Sequence, residues 1–316
     1  MSTVSILTDG DVYSQYDYEL VVDAMRDAFA ERAAGTLEAP PRWHVDAGEG
    51  DLVFTAGAAT GSTNAAGFRV YETHPETGAD HTELVAVFDA TTGAFRGLLL
   101  GHAVGGLRTG GIGGVAIDAL APEDSATLGV LGSGFQARAQ VGAACAVRDF
   151  EEVLVYSPTP DSRREFAETA DDDVGPSVRA LEDPEPVVRS ADALVCATNS
   201  TDPVFDSEWL ESGTHVTTIG PKFETAHELP LEVLERADAI TTDSIPQLEA
   251  TDRPTVVGSE HDDELVELAD VLAEPDRGRS SAADLTVFCS VGLSGTEVVL
   301  GNSFLEAFGS SEESKE

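Results

Sequence analysis

The strongest chemical signal in the chain is the stretch Leu128-Gly-Val-Leu-Gly132-Ser133-Gly134-Phe135-Gln136-Ala137. A short apolar run enters a Gly-x-Gly turn, and an alanine-rich run from Ala137 to Val147 leaves it. Strand, glycine turn and helix in that order form a cradle for a pyrophosphate. Gly132 permits the tight turn, and Gly134 has no Cβ to hold a phosphate away. The helix then presents free N–H groups and the positive end of its dipole to the anion. The third glycine of the usual fingerprint is missing, and Ala137 is the nearest small residue. A turn of this kind that binds nothing is the alternative; strand before and helix after favour a dinucleotide site.

The choice of nucleotide rests on the tip of the second strand, Glu152-Val-Leu-Val-Tyr156, where NAD enzymes of this architecture place a carboxylate for the ribose hydroxyls. Here the tip reads Ser157-Pro158-Thr159, and Asp161 comes a few residues late. Ser157 and Thr159 can donate to a 2′-phosphate, and Arg163 or Arg164 can pair with it. NADP(H) is therefore the preferred cofactor, with NAD(H) as the alternative. Against this stands the reading that Arg163 and Arg164 merely decorate an exposed helix.

The elements that must hold these residues follow from hydrophobic patterning. From Leu128 onward apolar strands (Glu152–Tyr156, Ala193–Thr198, His215–Ile219, Ala239–Thr242, Leu285–Cys289) alternate with helical stretches such as Asp161–Ala170 and Pro230–Arg236. That alternation predicts a parallel sheet covered on both faces. Earlier, a helix over Tyr16–Ala34 precedes strand-like runs from Asp51, Ala66, Glu83 and Ala94, with Asp89–Gly93 as a hairpin turn. The fold class is α/β: a Rossmann-type domain over 121–294, plus a smaller, mostly antiparallel α+β domain over 1–120 for substrate and dimerisation. A C-terminal helix, 295–316, completes the smaller domain; its clear pattern runs from Gly295 to Phe308, and residues after Gly309 read as a solvated tail. The segment Gly105-Gly-Leu-Arg-Thr-Gly-Gly-Ile-Gly-Gly114 stays open. Each glycine costs a helix about 1 kcal/mol relative to alanine, so a closely packed helix, a loop and a second anion-cradling turn all remain.

Composition bounds the partners. With 58 acidic against 18 basic residues the net charge is −40, spread along the chain. Self-repulsion of that size is relieved by screening, which points to a high-salt cytoplasm. It also argues against nucleic acid and anionic membranes, which need clustered Lys and Arg. Cys145, Cys196 and Cys289 lie in apolar runs and read as buried thiols; no Cys/His spacing suggests a metal site. The N-terminus lacks a leader pattern, and no run approaches the roughly 20 apolar residues of a membrane span. His74, His81 and His102 show no patterned spacing, and His227 is a minor candidate for a pocket lining.

Several segments in order resemble the ornithine cyclodeaminase/μ-crystallin family: Pro41-Arg42, Gly67-Phe-Arg69, Asp89-Ala-Thr-Thr-Gly93, Leu107-Arg108-Thr109, the glycine turn, Gly220 through Glu228-Leu229, and Ser290-Val-Gly-Leu. The resemblance implies a homodimer, a nicotinamide cofactor and a small anionic α-amino or α-imino acid substrate. It places Arg42, Arg69 and Arg108 in the substrate pocket, where charge-assisted contacts from Arg hold an α-carboxylate. It brings Thr109 to the cofactor phosphates and adds Thr198, Val291 and Gly292 to the cofactor contacts.

Two departures narrow the activity. Lys222 stands where family cyclodeaminases carry the Asp that activates the amine, which argues against cyclodeamination. Arg69 replaces the pocket Lys and cannot release a proton near neutral pH. Lys222, one of two lysines in the chain, is therefore the candidate for proton transfer or carboxylate binding, against the alternative of a plain loop lysine. The expected activity is an NAD(P)-dependent oxidoreductase at a C–N bond, of the alanine dehydrogenase or ketimine/cyclic-imine reductase type. A cyclodeaminase-type ammonia-lyase and a non-catalytic NADP(H)-binding protein are the alternatives.

Overall fold

The computed structural model describes all residues except 1–4, 15, 75–81, 172–173, 258–264 and 314–316, so His81 lies outside the described residues. Along the chain the strands are β1 (Ser5–Thr8), β2 (Leu37–Glu38), β3 (Trp43–Asp46), β4 (Asp51–Ala59), β5 (Ala65–Glu72), β6 (Glu83–Asp89), β7 (Phe95–Gly101), β8 (Thr127–Leu131), β9 (Glu152–Tyr156), β10 (Ser177–Ala180), β11 (Ala193–Cys196), β12 (His215–Thr218), β13 (Lys222–Phe223), β14 (Ala226–His227), β15 (Ala239–Thr242), β16 (Leu265–Glu267) and β17 (Thr286–Cys289). The helices are α1 (Asp9–Tyr13), α2 (Tyr18–Ala33), α3 (Ala103–Leu120), α4 (Phe135–Val147), α5 (Pro160–Asp171), α6 (Pro184–Ser190), α7 (Leu231–Arg236), α8 (Ile245–Glu249), α9 (Leu268–Ala273) and α10 (Thr296–Glu313). They form two compact units, residues 1–108 with 293–316, and residues 109–292.

The first unit is built on a seven-stranded sheet in the order β1-β7-β6-β5-β4-β2, with β3 also paired to β4. It is antiparallel except for β1, which runs parallel to β7. Helix α2 begins where the Asp17 carboxylate accepts the Leu20 N–H at 2.7 Å. It buries Val21, Ala24, Met25, Ala28 and Phe29, a stripe at helical spacing. Helix α10 packs on α2 and on β5 and β6. It continues through Glu313, so the expected solvated tail after Gly309 is helix at its start. The register sets Thr55, Arg69 and Val85 side by side across β4, β5 and β6, and thus places Arg69 mid-sheet.

The second unit holds an eight-stranded parallel sheet, β10-β9-β8-β11-β12-β17-β15-β16. Its strands are runs of buried apolar residues, as a sheet covered on both faces requires. Chain order reverses between β8 and β11, so the carboxyl ends of these two strands form the crevice where ligands bind in open α/β sheets.

The glycine-rich segment is helical. A Cβ on Gly110 would stand 2.5 Å from the Ala139 carbonyl oxygen, and one on Gly113 would overlap the Gln140 amide. Glycine lets α3 approach α4 closely enough for the buried Gln140 Nε2 to donate to the Thr109 carbonyl at 2.8 Å. The gain from that close packing offsets the poor helix propensity of glycine. The unit boundary, expected at residue 120, falls instead between Arg108 and Thr109, inside this helix.

Candidate functional site

In the second unit the turn after β8 is shaped by its glycines. Gly132 has φ +122°, and a Cβ there would overlap the Ala197 carbonyl at the end of β11. Gly132 donates its N–H to the Tyr156 carbonyl at 2.8 Å, which ties the turn to the end of β9. Gly134 is the N-cap of α4, is exposed, and has nothing within 4 Å of the position a Cβ would take. An open space in front of uncapped helix N–H groups suits a pyrophosphate. Ala137 is buried under the turn, Phe135 is exposed, and the Gln136 Oε1 is buried with no hydrogen-bond partner among the described residues.

At the β9 tip the Ser133 hydroxyl donates to the Ser157 hydroxyl at 2.9 Å, and Ser157 in turn reaches the Thr159 carbonyl at 3.4 Å. Arg163 donates to the Ser157 carbonyl at 2.9 Å and lies over the Tyr156 ring. Asp161 is engaged by Arg164 at 2.7 Å and is not at the strand tip. Ser157, expected as a donor to a 2′-phosphate, is buried.

Two buried carboxylates that the sequence reading did not single out for a role organise the other loops at this edge. Glu228 accepts the N–H and hydroxyl of Thr198 at 2.8 and 2.7 Å, the Thr218 hydroxyl at 2.8 Å, and the N–H groups of Ile219 and Gly220 at 3.1 and 2.6 Å. Asp243 accepts from the Ser290 hydroxyl and from the N–H groups of Val291 and Gly292, at 3.0, 2.8 and 2.8 Å. These hydrogen bonds satisfy both carboxylates. Thr198, Val291 and Gly292 thus stand on loops pinned by Glu228 and Asp243. Lys222 opens the short strand β13 just after β12 and is half-buried, its ammonium donating to the Ile219 and Gly220 carbonyls at 3.1 and 2.8 Å.

The histidines have local partners. His102 Nδ1 lies 3.0 Å from an Asp9 oxygen, His227 Nδ1 lies 2.8 Å from the Leu229 carbonyl, and His74 lies 3.9 Å from Glu49. His215, fully buried between the Thr286 and Thr217 hydroxyls at 2.9 and 3.0 Å, has its pKa pushed down to about 3, first by desolvation and then by the Arg279 charge. Burial raises the Cys145 and Cys289 thiols to about 12, so neither is a nucleophile near neutral pH.

In the first unit two of the three arginines, Arg69 and Arg108, meet at one carboxylate, Glu297, in the first turn of α10. Arg69 and Arg108 each reach its Oε1 at 3.3 Å. The Arg42 charge also stabilises it, although Arg42 itself is only half-buried. Burial alone would raise the Glu297 pKa; Arg108, Arg69, the residue's own N–H and, least, Arg42 outweigh it and hold the group below the usual carboxylate range. Arg69 also pairs closely with Glu83 and lies 4.1 Å from the centre of the Tyr71 ring. A Cβ on Gly105 would collide with Glu83, so glycine in α3 makes room for that pair. Glu83 and Glu297 had no sequence signal, because a functional carboxylate is inconspicuous in a chain with 58 acidic residues.

A parallel sheet with this strand order, a glycine turn at the reversal point and an arginine cluster in a second unit have a counterpart among known proteins: residues 3–308 match one family throughout. The chain belongs to the ornithine cyclodeaminase/mu-crystallin family. It is 31% identical over 235 residues to a Delta(1)-pyrroline-2-carboxylate reductase of Bacillus cereus, covering 71% of this chain and 70% of that one. The Thermococcus litoralis Delta(1)-pyrroline-2-carboxylate reductase, solved with NADH and L-proline, superimposes with a TM-score of 0.87 at 25% identity, over 97% of this chain and 98% of that one. An archaeal alanine dehydrogenase dimer with bound NAD gives 0.87 at 27% identity, over 98% and 97%. Among the described residues no helix is long and apolar enough to cross a membrane.

Proposed function

We propose that this family member is an NAD(P)-dependent oxidoreductase that acts on the C–N bond of a small α-imino or α-amino acid, in the manner named for its pyrroline-carboxylate reductase and alanine dehydrogenase relatives. The observation that carries the reading is the meeting of Arg69 and Arg108 at the buried Glu297, with the Arg42 charge acting on the same carboxylate, in a chain that is otherwise short of cations. Guanidinium groups held in place by buried carboxylates are suited to a substrate carboxylate through charge-assisted hydrogen bonds.

The glycine turn fits a nicotinamide dinucleotide, which when bound exchanges a hydride with the substrate carbon. Gly132, Ser133, Gly134 and the first turn of α4 (Phe135, Gln136, Ala137) would hold its pyrophosphate, with Thr109 approaching the phosphates. Ser157, Thr159 and Arg163 would hold the adenosine end, and Thr198, Val291 and Gly292 complete the contacts. The lack of a carboxylate at the β9 tip, with Asp161 held by Arg164, supports NADP(H) over NAD(H). Lys222 places a cation at the carboxyl edge of the sheet and is the candidate for a proton or a substrate carboxylate; Lys222→Met is expected to lower turnover while cofactor affinity is kept. A homodimer in a high-salt cytoplasm completes the reading, the latter on the net charge of −40.

The test is to follow the reduced nicotinamide absorbance in molar KCl. NADPH and then NADH are offered with cyclic imino acids and with pyruvate plus ammonia. Oxidation with an imino acid, faster with NADPH, is expected. Absence of oxidation with every substrate, or ammonia release from ornithine at catalytic NAD, would overturn the reading.

A further inference from the structure

Glu297 is 1% exposed, and its two oxygens are used differently. Oε1 faces Arg69 and Arg108, while Oε2 is buried and has no hydrogen-bond partner among the described residues. A buried, ionised carboxylate oxygen without a donor is costly, and such groups are ordinarily satisfied. The three arginine charges and the residue's own N–H act on this carboxylate, yet no other described residue donates to Oε2.

We propose that Glu297 Oε2 is the acceptor for the N–H of the substrate, so that Glu297 binds the cationic nitrogen while the arginines bind the carboxylate. The assignment rests on the imino-acid reading given above and adds to it which protein group recognises the nitrogen. The two oxygens of a carboxylate share one carbon, so a donor at Oε2 sits beside the guanidinium groups at Oε1. An α-imino acid carries its nitrogen one carbon from its carboxylate and presents the matching pair of charges.

The chemistry is consistent with an ionised Glu297. A protonated imine is the electrophilic form, and an adjacent carboxylate keeps it protonated. The imine carbon gains a hydride from the reduced nicotinamide, and the C=N π pair moves onto nitrogen. The nitrogen becomes a neutral amine that takes a solvent proton on release. No proton passes through Glu297, and none is required from Arg69, which cannot supply one. In the oxidising direction the same carboxylate stabilises the positive charge that develops on nitrogen.

The experiment compares L-proline with tetrahydrofuran-2-carboxylate, which has the same ring and carboxylate but oxygen in place of the N–H group. Binding to the full chain is measured by calorimetry in molar KCl. Wild-type protein is expected to prefer proline by at least tenfold. Glu297→Gln removes one negative charge from beside the arginines; it is expected to weaken proline and strengthen the ether, and to collapse the preference. Glu297→Asp, which keeps the charge, is expected to retain it in part. Equal wild-type affinity for the two ligands, or a preference that survives Glu297→Gln, would overturn the assignment while leaving the imino-acid reading in place. The wild-type comparison decides even if a variant fails to fold. Failure of both ligands to bind, together with no imino-acid reduction, would overturn both.

Discussion

The cofactor turn in residues 109–292 and the arginine cluster in the other unit recognise anions by opposite means. The turn is made of backbone: two glycines separated by one residue, one strained and one open, at the end of a strand and the start of a helix. The cluster is made of side chains from four separate places: Arg42 before β3, Arg69 on β5, Arg108 on α3 and Glu297 on α10. A backbone site is destroyed by adding a methyl group, whereas a charged cluster is destroyed by removing one member. The first is coded in consecutive residues, and the second exists only when distant segments meet.

The largest expected effect tests the backbone half. Gly132→Ala puts a Cβ into the Ala197 carbonyl at φ +122° and should weaken dinucleotide binding by at least about a hundredfold, or roughly 2.7 kcal/mol, with loss of stability as well. Fluorescence titration with NADPH checks it. Next comes the cluster: Arg108→Met leaves the buried Glu297 short of a partner and should cost about 3 kcal/mol in denaturant unfolding. Cofactor affinity should stay within about twofold if the two sites are energetically separate.

The pH dependence separates the units further. His215 is neutral in the fold, with a pKa near 3 against 6.5 for an ordinary histidine. Above that ordinary value it has no effect. As pH falls below it the unfolded chain takes a proton that the fold refuses, and stability drops by up to about 1.4 kcal/mol per pH unit. Glu297 has its pKa lowered below the 4.5 of an ordinary glutamate, so its contribution is fully present above that value and is lost only as pH falls through the lower folded value. Between these two ordinary values residues 109–292 should weaken while the cluster is unaffected. The only two tryptophans, Trp43 and Trp209, lie one in each unit, so Trp→Phe variants at either position report the two unfolding transitions separately. A His215→Asn variant should flatten the slope seen through Trp209. The smallest effect belongs to Gly134→Ala. With nothing within 4 Å of the added methyl it should leave stability within about 0.5 kcal/mol and weaken NADPH about tenfold.

Legibility in the sequence divides along the same line. The strand–turn–helix at Gly132 and Gly134, and the alternation that makes the parallel sheet, were readable because each depends on neighbours in sequence. So was the missing carboxylate at Ser157. The arginines stood out by family resemblance and by the rarity of cations. The roles of Glu83, Glu228, Asp243 and Glu297 did not, since carboxylates are everywhere in this chain and burial, shared also by Glu31, appears only in the fold. The glycine-rich segment was undecidable from propensity, because its helix is stabilised by contacts with Ala139 and Gln140 that lie a turn of chain and a strand away.

By itself the sequence determined the class of fold, the place of the dinucleotide turn and a pronounced excess of negative charge, because local patterning and composition are properties of a linear chain. Tertiary structure alone decided that α3 is a helix through its glycines. It also decided that Glu228 and Asp243 pin the loops at the sheet edge, and that Arg69 and Arg108 share one buried glutamate whose second oxygen takes no donor from another described residue. Those outcomes turn on desolvation and on distances between residues far apart in sequence, and neither quantity exists before the chain has folded.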